Sequence, residues 1–135
     1  MSGCEWVVDA YGCQAAALAD LPRLQALFAR IIQELSLHPV GETNWRQFPN
    51  TGGITGLCLL AESHLACHTF PEYGLLCLNL FCCRLRPEWD FAGNLEREFA
   101  AQTVRVRRLE RDYRDHEPES RELSELRRAD PVSLV

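Results

Sequence analysis

The 135-residue chain contains no lysine; all 14 of its basic residues are arginine. A mechanism that runs through a lysine Schiff base, pyridoxal phosphate chemistry included, is therefore closed to this chain on its own. Other features are missing as well. No Cys-x-x-Cys pair occurs among the seven cysteines, so the signatures of zinc ribbons and dithiol redox sites are absent. No apolar run approaches the ~20 residues that a membrane-spanning helix needs. The opening segment "MSGCEWVVDA" lacks a basic stretch followed by a long apolar one, so a cytoplasmic protein is expected. Positive charge is in short supply too. A net charge of −5, with no patch of aromatics among basic residues, argues against nucleic acid as a partner.

What is present describes an ordinary globular domain: 47% hydrophobic and 24% charged residues. A chain of this length buries roughly two-thirds of its unfolded surface, enough for a core without metals or disulfides. The cysteines Cys4, Cys13, Cys58, Cys67, Cys77, Cys82 and Cys83 are odd in number and mostly sit in apolar stretches. In a reducing compartment they act as small hydrophobes.

Hydrophobic spacing predicts strands at 6–13, 38–48, 54–61, 63–70 and 75–83, and an edge strand at 103–111. Helices are expected at 20–37, with Asp20 as N-cap and Pro22 in the first turn, and at 86–102. The order β-α-β-β-β-β-α-β, with short links between the middle strands, implies an α+β two-layer sandwich: an antiparallel sheet with two helices on one face. Residues 1–111 form the expected domain. Residues 112–135 are read as a charged, mobile tail, with a short helix near 119–128 as the alternative. The second sheet face is left apolar by "LLCLNLFCC" and "TGLCLLA", which points to a partner, most simply a second copy.

The chemistry concentrates in "AESHLACHTFPEYG", residues 61–74. Taken alone, two His and a Ser after a strand are most often hydrogen-bonded polar groups near a sheet edge. Two other readings stay open: a zinc site from His64, Cys67, His68 and Cys82 or Cys83, which matches no standard ligand spacing, and a Cys–His pair of His68 and Cys83, for which no oxyanion site is evident.

The combination resembles the prokaryotic class of S-adenosylmethionine decarboxylase. That family carries ESH-x-x-x-HT-x-PE, matched by Glu62-Ser63-His64, His68-Thr69 and Pro71-Glu72, with Asp9 and Tyr11-Gly12-Cys13 upstream and Phe81 to Cys83 downstream. The resemblance covers about residues 6–111. It implies a proenzyme that cuts itself between Glu62 and Ser63, leaving a pyruvoyl group at position 63. It also implies His68 as the processing acid/base, assisted by the hydroxyl of Thr55, where a serine is usual. Cys83 matches the catalytic cysteine that returns a proton to the substrate; a thiol is largely protonated at neutral pH. Glu72 corresponds to the ligand of the ribose hydroxyls, and Phe70 and Phe48 lie near adenine-stacking positions. No metal is implied. The substrate would be S-adenosylmethionine, the product the aminopropyl donor for spermidine, and the assembly a homodimer.

Three positions depart from the family pattern. Glu5 stands where a His is usual, Asn79 where an acidic residue is usual, and Arg84 where a Gly often follows the cysteine. They keep two alternatives open: a pyruvoyl enzyme for another amino acid, such as arginine or ornithine, or an unprocessed paralogue with a binding or regulatory role.

Overall fold

In the computed structural model, residues 1–114 are described. Strict alternation along the strands builds the sheet. β1 (Ser2–Tyr11) buries Cys4, Trp6, Val8 and Ala10 and leaves Glu5, Val7 and Asp9 partly open. β2 (Asn44–Gln47), β3 (Ile54–Leu60), β4 (Ser63–Phe70), β5 (Leu75–Cys82) and β6 (Thr103–Asp112) complete one sheet in the order β2-β3-β4-β5-β1-β6. Every neighbouring pair is antiparallel.

The helices are a single turn α1 (Ala15–Leu18), α2 (Leu21–Glu34) and α3 (Phe91–Phe99). The apolar stripe of α2, Leu24, Leu27, Phe28 and Ile31, joins the same core cluster as the buried strand residues. Trp6 packs on Phe91 of α3 with ring centroids 6.2 Å apart, and Phe28 on Trp45 of β2 at 4.7 Å. Each fully buried Leu, such as Leu65 or Leu80, contributes about 1.5–3 kcal/mol. The helices thus cover one face, as the α+β sandwich expects.

Boundaries differ from expectation where local chemistry overrides periodicity. The first strand starts at Ser2, not residue 6, and ends at Tyr11 because Gly12 turns the chain with φ of 68°. α2 begins after Asp20 as predicted, with Asp20 Oδ1 accepting from the Arg23 amide, but ends at Glu34. The 38–48 strand shrinks to Asn44–Gln47, plus an isolated bridge between Pro39 and Leu60. The helix expected from residue 86 begins only at Phe91, because Asp90 is the cap: its Oδ1 accepts from the Gly93 amide at 2.9 Å. It stops at Phe99, where Ala100 takes a left-handed conformation. The strand predicted to run through Cys83 ends at Cys82. α1 went unread because its four residues are too short to show a period. Asp112 still belongs to β6; most of the predicted tail, and the helix near 119–128, lie outside the described residues. Among the described residues, no helix is long and apolar enough to cross a membrane.

Candidate active site

The face without helices holds the polar residues. Period two puts Glu5 and Asp9 of β1, Thr55 of β3, His64 and His68 of β4, and Cys77 and Asn79 of β5 on it.

β3 and β4 are joined by only Ala61 and Glu62, because Leu60 pairs with Ser63. Two-residue hairpins usually place Gly or Asn at positive φ. Neither residue occurs here, and the unusual torsion falls on Ser63, whose φ is 152°. A residue with a Cβ held there stores on the order of 1–3 kcal/mol. The peptide bond before it is held on both sides. The Glu62 carbonyl oxygen accepts from the Cys83 amide at 2.7 Å. Glu62 is 8% exposed; its carboxylate accepts from the His38 amide at 2.7 Å, meets His38 Nδ1 at 2.8 Å and lies 3.5 Å from Arg86 Nη2. Burial alone raises the Glu62 pKa, but the hydrogen bonds from His38 outweigh it and the net shift is downward.

A hydrogen-bonded chain leads away from Ser63. Its Oγ lies 3.0 Å from His64 Nδ1, and His64 Nε2 lies 3.1 Å from Asn79 Oδ1. The Asn79 amide nitrogen donates to Glu5 Oε1 at 3.2 Å, and Glu5 Oε2 accepts from Arg111 at 3.4 Å. Two of the three departures, Glu5 and Asn79, therefore touch one another.

His68 is at the other end of β4. Its Nδ1 lies 2.6 Å from Thr55 Oγ1, its ring meets Phe70 edge-on at 4.3 Å, and Phe48 is 5.8 Å away. Phe48, Asn50, Thr51, His68, Phe70 and Glu72 line one cavity of about 330 Å³. A second cavity of about 310 Å³ is bordered by Val7, Asp9, Ala66, His68, Cys77 and Asn79. Five residues of extended strand put His68 about 16 Å from Ser63 in the same chain.

The structure thus gathers the expected residues into two groups at opposite ends of β4. Glu62, Ser63 and Cys83 form one; Thr55, His68, Phe70, Phe48 and Glu72 form the other. The zinc reading fails, because Cys67 and Cys82 are buried on the helix side while His64 and His68 face the other way. The Cys–His pair fails as well within one chain: His68 pairs across the sheet with Cys77, while Cys83 lies beyond the strand's far end. Cys83 is exposed, whereas its neighbour Cys82 is fully buried and its thiol is pushed up to about 12, first by burial and then by nearby Cys4. Thr69 of the motif is structural: its hydroxyl donates to the Leu18 carbonyl at 2.8 Å and accepts from the Ile54 amide.

The residues that hold Glu62 went unread. His38 and Arg86 lie on separate segments, each 24 positions from residue 62. No local pattern links them. The amide of Cys83 carries no side-chain signal at all.

The family model described as S-adenosylmethionine decarboxylase matches residues 4–112. The chain belongs to the S-adenosylmethionine decarboxylase family. A relative from Picrophilus torridus, an S-adenosylmethionine decarboxylase proenzyme, is 31% identical over 98% of this chain and 96% of its own length. The proenzyme of Moorella thermoacetica is 30% identical over 78% of this chain and 83% of its own. The crystal structure of the adenosylmethionine decarboxylase of Aquifex aeolicus superposes with a TM-score of 0.68, covering 87% of this chain and 96% of that one. At 23% identity this last likeness speaks for the fold of the decarboxylase family.

Proposed function

We propose that this chain is a proenzyme that cuts itself between Glu62 and Ser63 and then decarboxylates S-adenosylmethionine, yielding the aminopropyl donor for spermidine synthesis. The observation that carries the reading is the Glu62 carbonyl, pinned by the Cys83 amide at 2.7 Å beside a strained Ser63. Attack by Ser63 Oγ on that carbonyl carbon forms a C–O bond and puts negative charge on an oxygen that already has a donor aimed at it. The C–N bond then breaks, leaving an ester and a free amine. Loss of the Cα proton and of the ester carboxylate, followed by hydrolysis, yields ammonia and a ketone at position 63.

The residues present fit such a group. Ser63 sits at the chain end that the cut creates, and Cys83 follows the residue paired with it across the sheet. The pyruvoyl ketone would supply the electrophile that takes up the substrate amine and the electrons left by carbon dioxide. It also answers the absence of lysine, since it is made from the backbone. Cys83 is the proton donor of this reading. The cavity bounded by Phe48, Phe70 and Glu72 offers two aromatic rings for adenine and a carboxylate for ribose hydroxyls.

Two half-sites about 16 Å apart on one strand cannot act together within one chain. A second copy packed face to face about a two-fold axis lays the His68 end of one sheet over the Ser63 end of the other, giving two composite sites. Leu57 and Leu59, 55% and 60% exposed on this face, are apolar surface for that contact. His68 then serves the partner's processing site as acid/base.

The intact mass of the purified protein tests the cut: two fragments broken at 62/63 are expected, and a single chain from Ser63→Ala. Mixed assembly tests the shared site. Neither Ser63→Ala nor His68→Ala should be cleaved alone, but co-expression should restore cleavage of the His68→Ala chain. A wild-type chain that stays whole would favour the unprocessed paralogue.

A further inference from the structure

Resting on that reading, we infer that His64 is the base that takes the Ser63 Oγ proton in the first step of cleavage, and that Asn79 and Glu5 position it. The geometry fixes the tautomer of the neutral imidazole. Two acceptors, Glu5 Oε1 at 3.2 Å and the Trp6 carbonyl at 3.5 Å, face the Asn79 amide nitrogen. The Asn79 Oδ1 must therefore face His64, 3.1 Å from Nε2. An amide oxygen only accepts, so Nε2 carries the proton and donates it. Nδ1 is left with a free lone pair, 3.0 Å from Ser63 Oγ, and accepts from the hydroxyl. Nucleophile, base and orienting group stand in the serial order that activates a serine.

The proton balance closes locally. As Oγ bonds to the Glu62 carbon, its proton moves to Nδ1; as the C–N bond breaks, the imidazolium returns a proton to the departing amine. His68, brought by the second copy, is left for the Cα proton of the elimination. Arg111 holds the far oxygen of Glu5 at 3.4 Å and lies over Phe81, whose ring packs on His64 at 5.8 Å. Asn79 and Glu5 are positioning residues; His64 touches the reacting atom.

The test is a time course of intact mass after cell-free synthesis. His64→Ala should slow cleavage about 100-fold or more, and added imidazole, small enough to fill the space the lost ring leaves, should restore part of the rate. His64→Gln can still donate to Asn79 and accept from Ser63 but takes up no proton; it should stay slow. Asn79→Leu should slow cleavage about tenfold by freeing the imidazole tautomer. The double change Glu5→Gln with Asn79→Asp reverses the donor between the two and keeps an acceptor on His64, so it should recover most of that loss. Wild-type cleavage together with a fast His64→Gln chain overturns this inference alone. A wild-type chain that is never cut overturns the processing reading and this step with it.

Discussion

The two faces of the sheet are built from alternate residues of the same strands, yet they do different work. On the helix side, Leu65, Cys67 and Thr69 of β4 are buried in one packed core. On the open side of that strand, His64 and His68 reach hydroxyls, an amide and aromatic rings. Stability therefore resides on one face and chemistry on the other, one residue apart. The sharpest pair is Cys82 and Cys83, adjacent in sequence, one sealed and one exposed.

That pair gives the largest expected effect. With its thiol pushed up to about 12 from the ordinary 9.0, Cys82 holds roughly a thousandfold less thiolate than an unperturbed thiol. N-ethylmaleimide at pH 8 should label Cys83 long before Cys82, as read by peptide mass; equal labelling would break the contrast between the faces. Next comes Leu65→Ala, which opens a cavity in the core and should cost about 2–5 kcal/mol in a urea melt. Leu59→Ala, on the open face, should change monomer stability by under about 0.5 kcal/mol. It should nonetheless shift sedimentation equilibrium toward the monomer, if that face is where copies meet. The smallest effect concerns acid. The folded pKa of Glu62 lies below its ordinary 4.5, so its contribution is complete above 4.5 and is lost as pH falls through the lowered value. On a Ser63→Ala background, melting temperature should drop more between pH 5 and roughly pH 3 than it does when Glu62→Gln is added.

Much of the fold was legible because each strand keeps a clean period of two and α2 a clean stripe over a capping Asp20. The misreading at the start of α3 has a tertiary cause as well as a local one. At 86–90 the chain has helix-compatible spacing, but Arg86 is spent on the Leu35 carbonyl at 3.0 Å and on Glu62, Trp89 donates to Glu34, and Asp90 caps the next turn. Tertiary partners decided that segment, and periodicity does not see them. The site shows the same division. Ser63, His68, Cys83 and Glu72 stood out as a spaced motif, but their separation into two groups is a property of register. That Glu5 and Asn79 form one contact is also invisible in sequence, since 74 positions divide them. Seen in the fold, the two departures answer each other.

The strand order has a consequence for what a cut at 62/63 leaves behind. Residues 1–62 supply β1, β2 and β3; residues 63 onward supply β4, β5 and β6. Across the sheet these run β2-β3, then β4-β5, then β1, then β6. The two fragments would be interleaved like clasped fingers, sharing three hydrogen-bonded seams and one core. Severing the backbone there removes a link but no seam, so the halves stay together while the new chain end at Ser63 is free to relax.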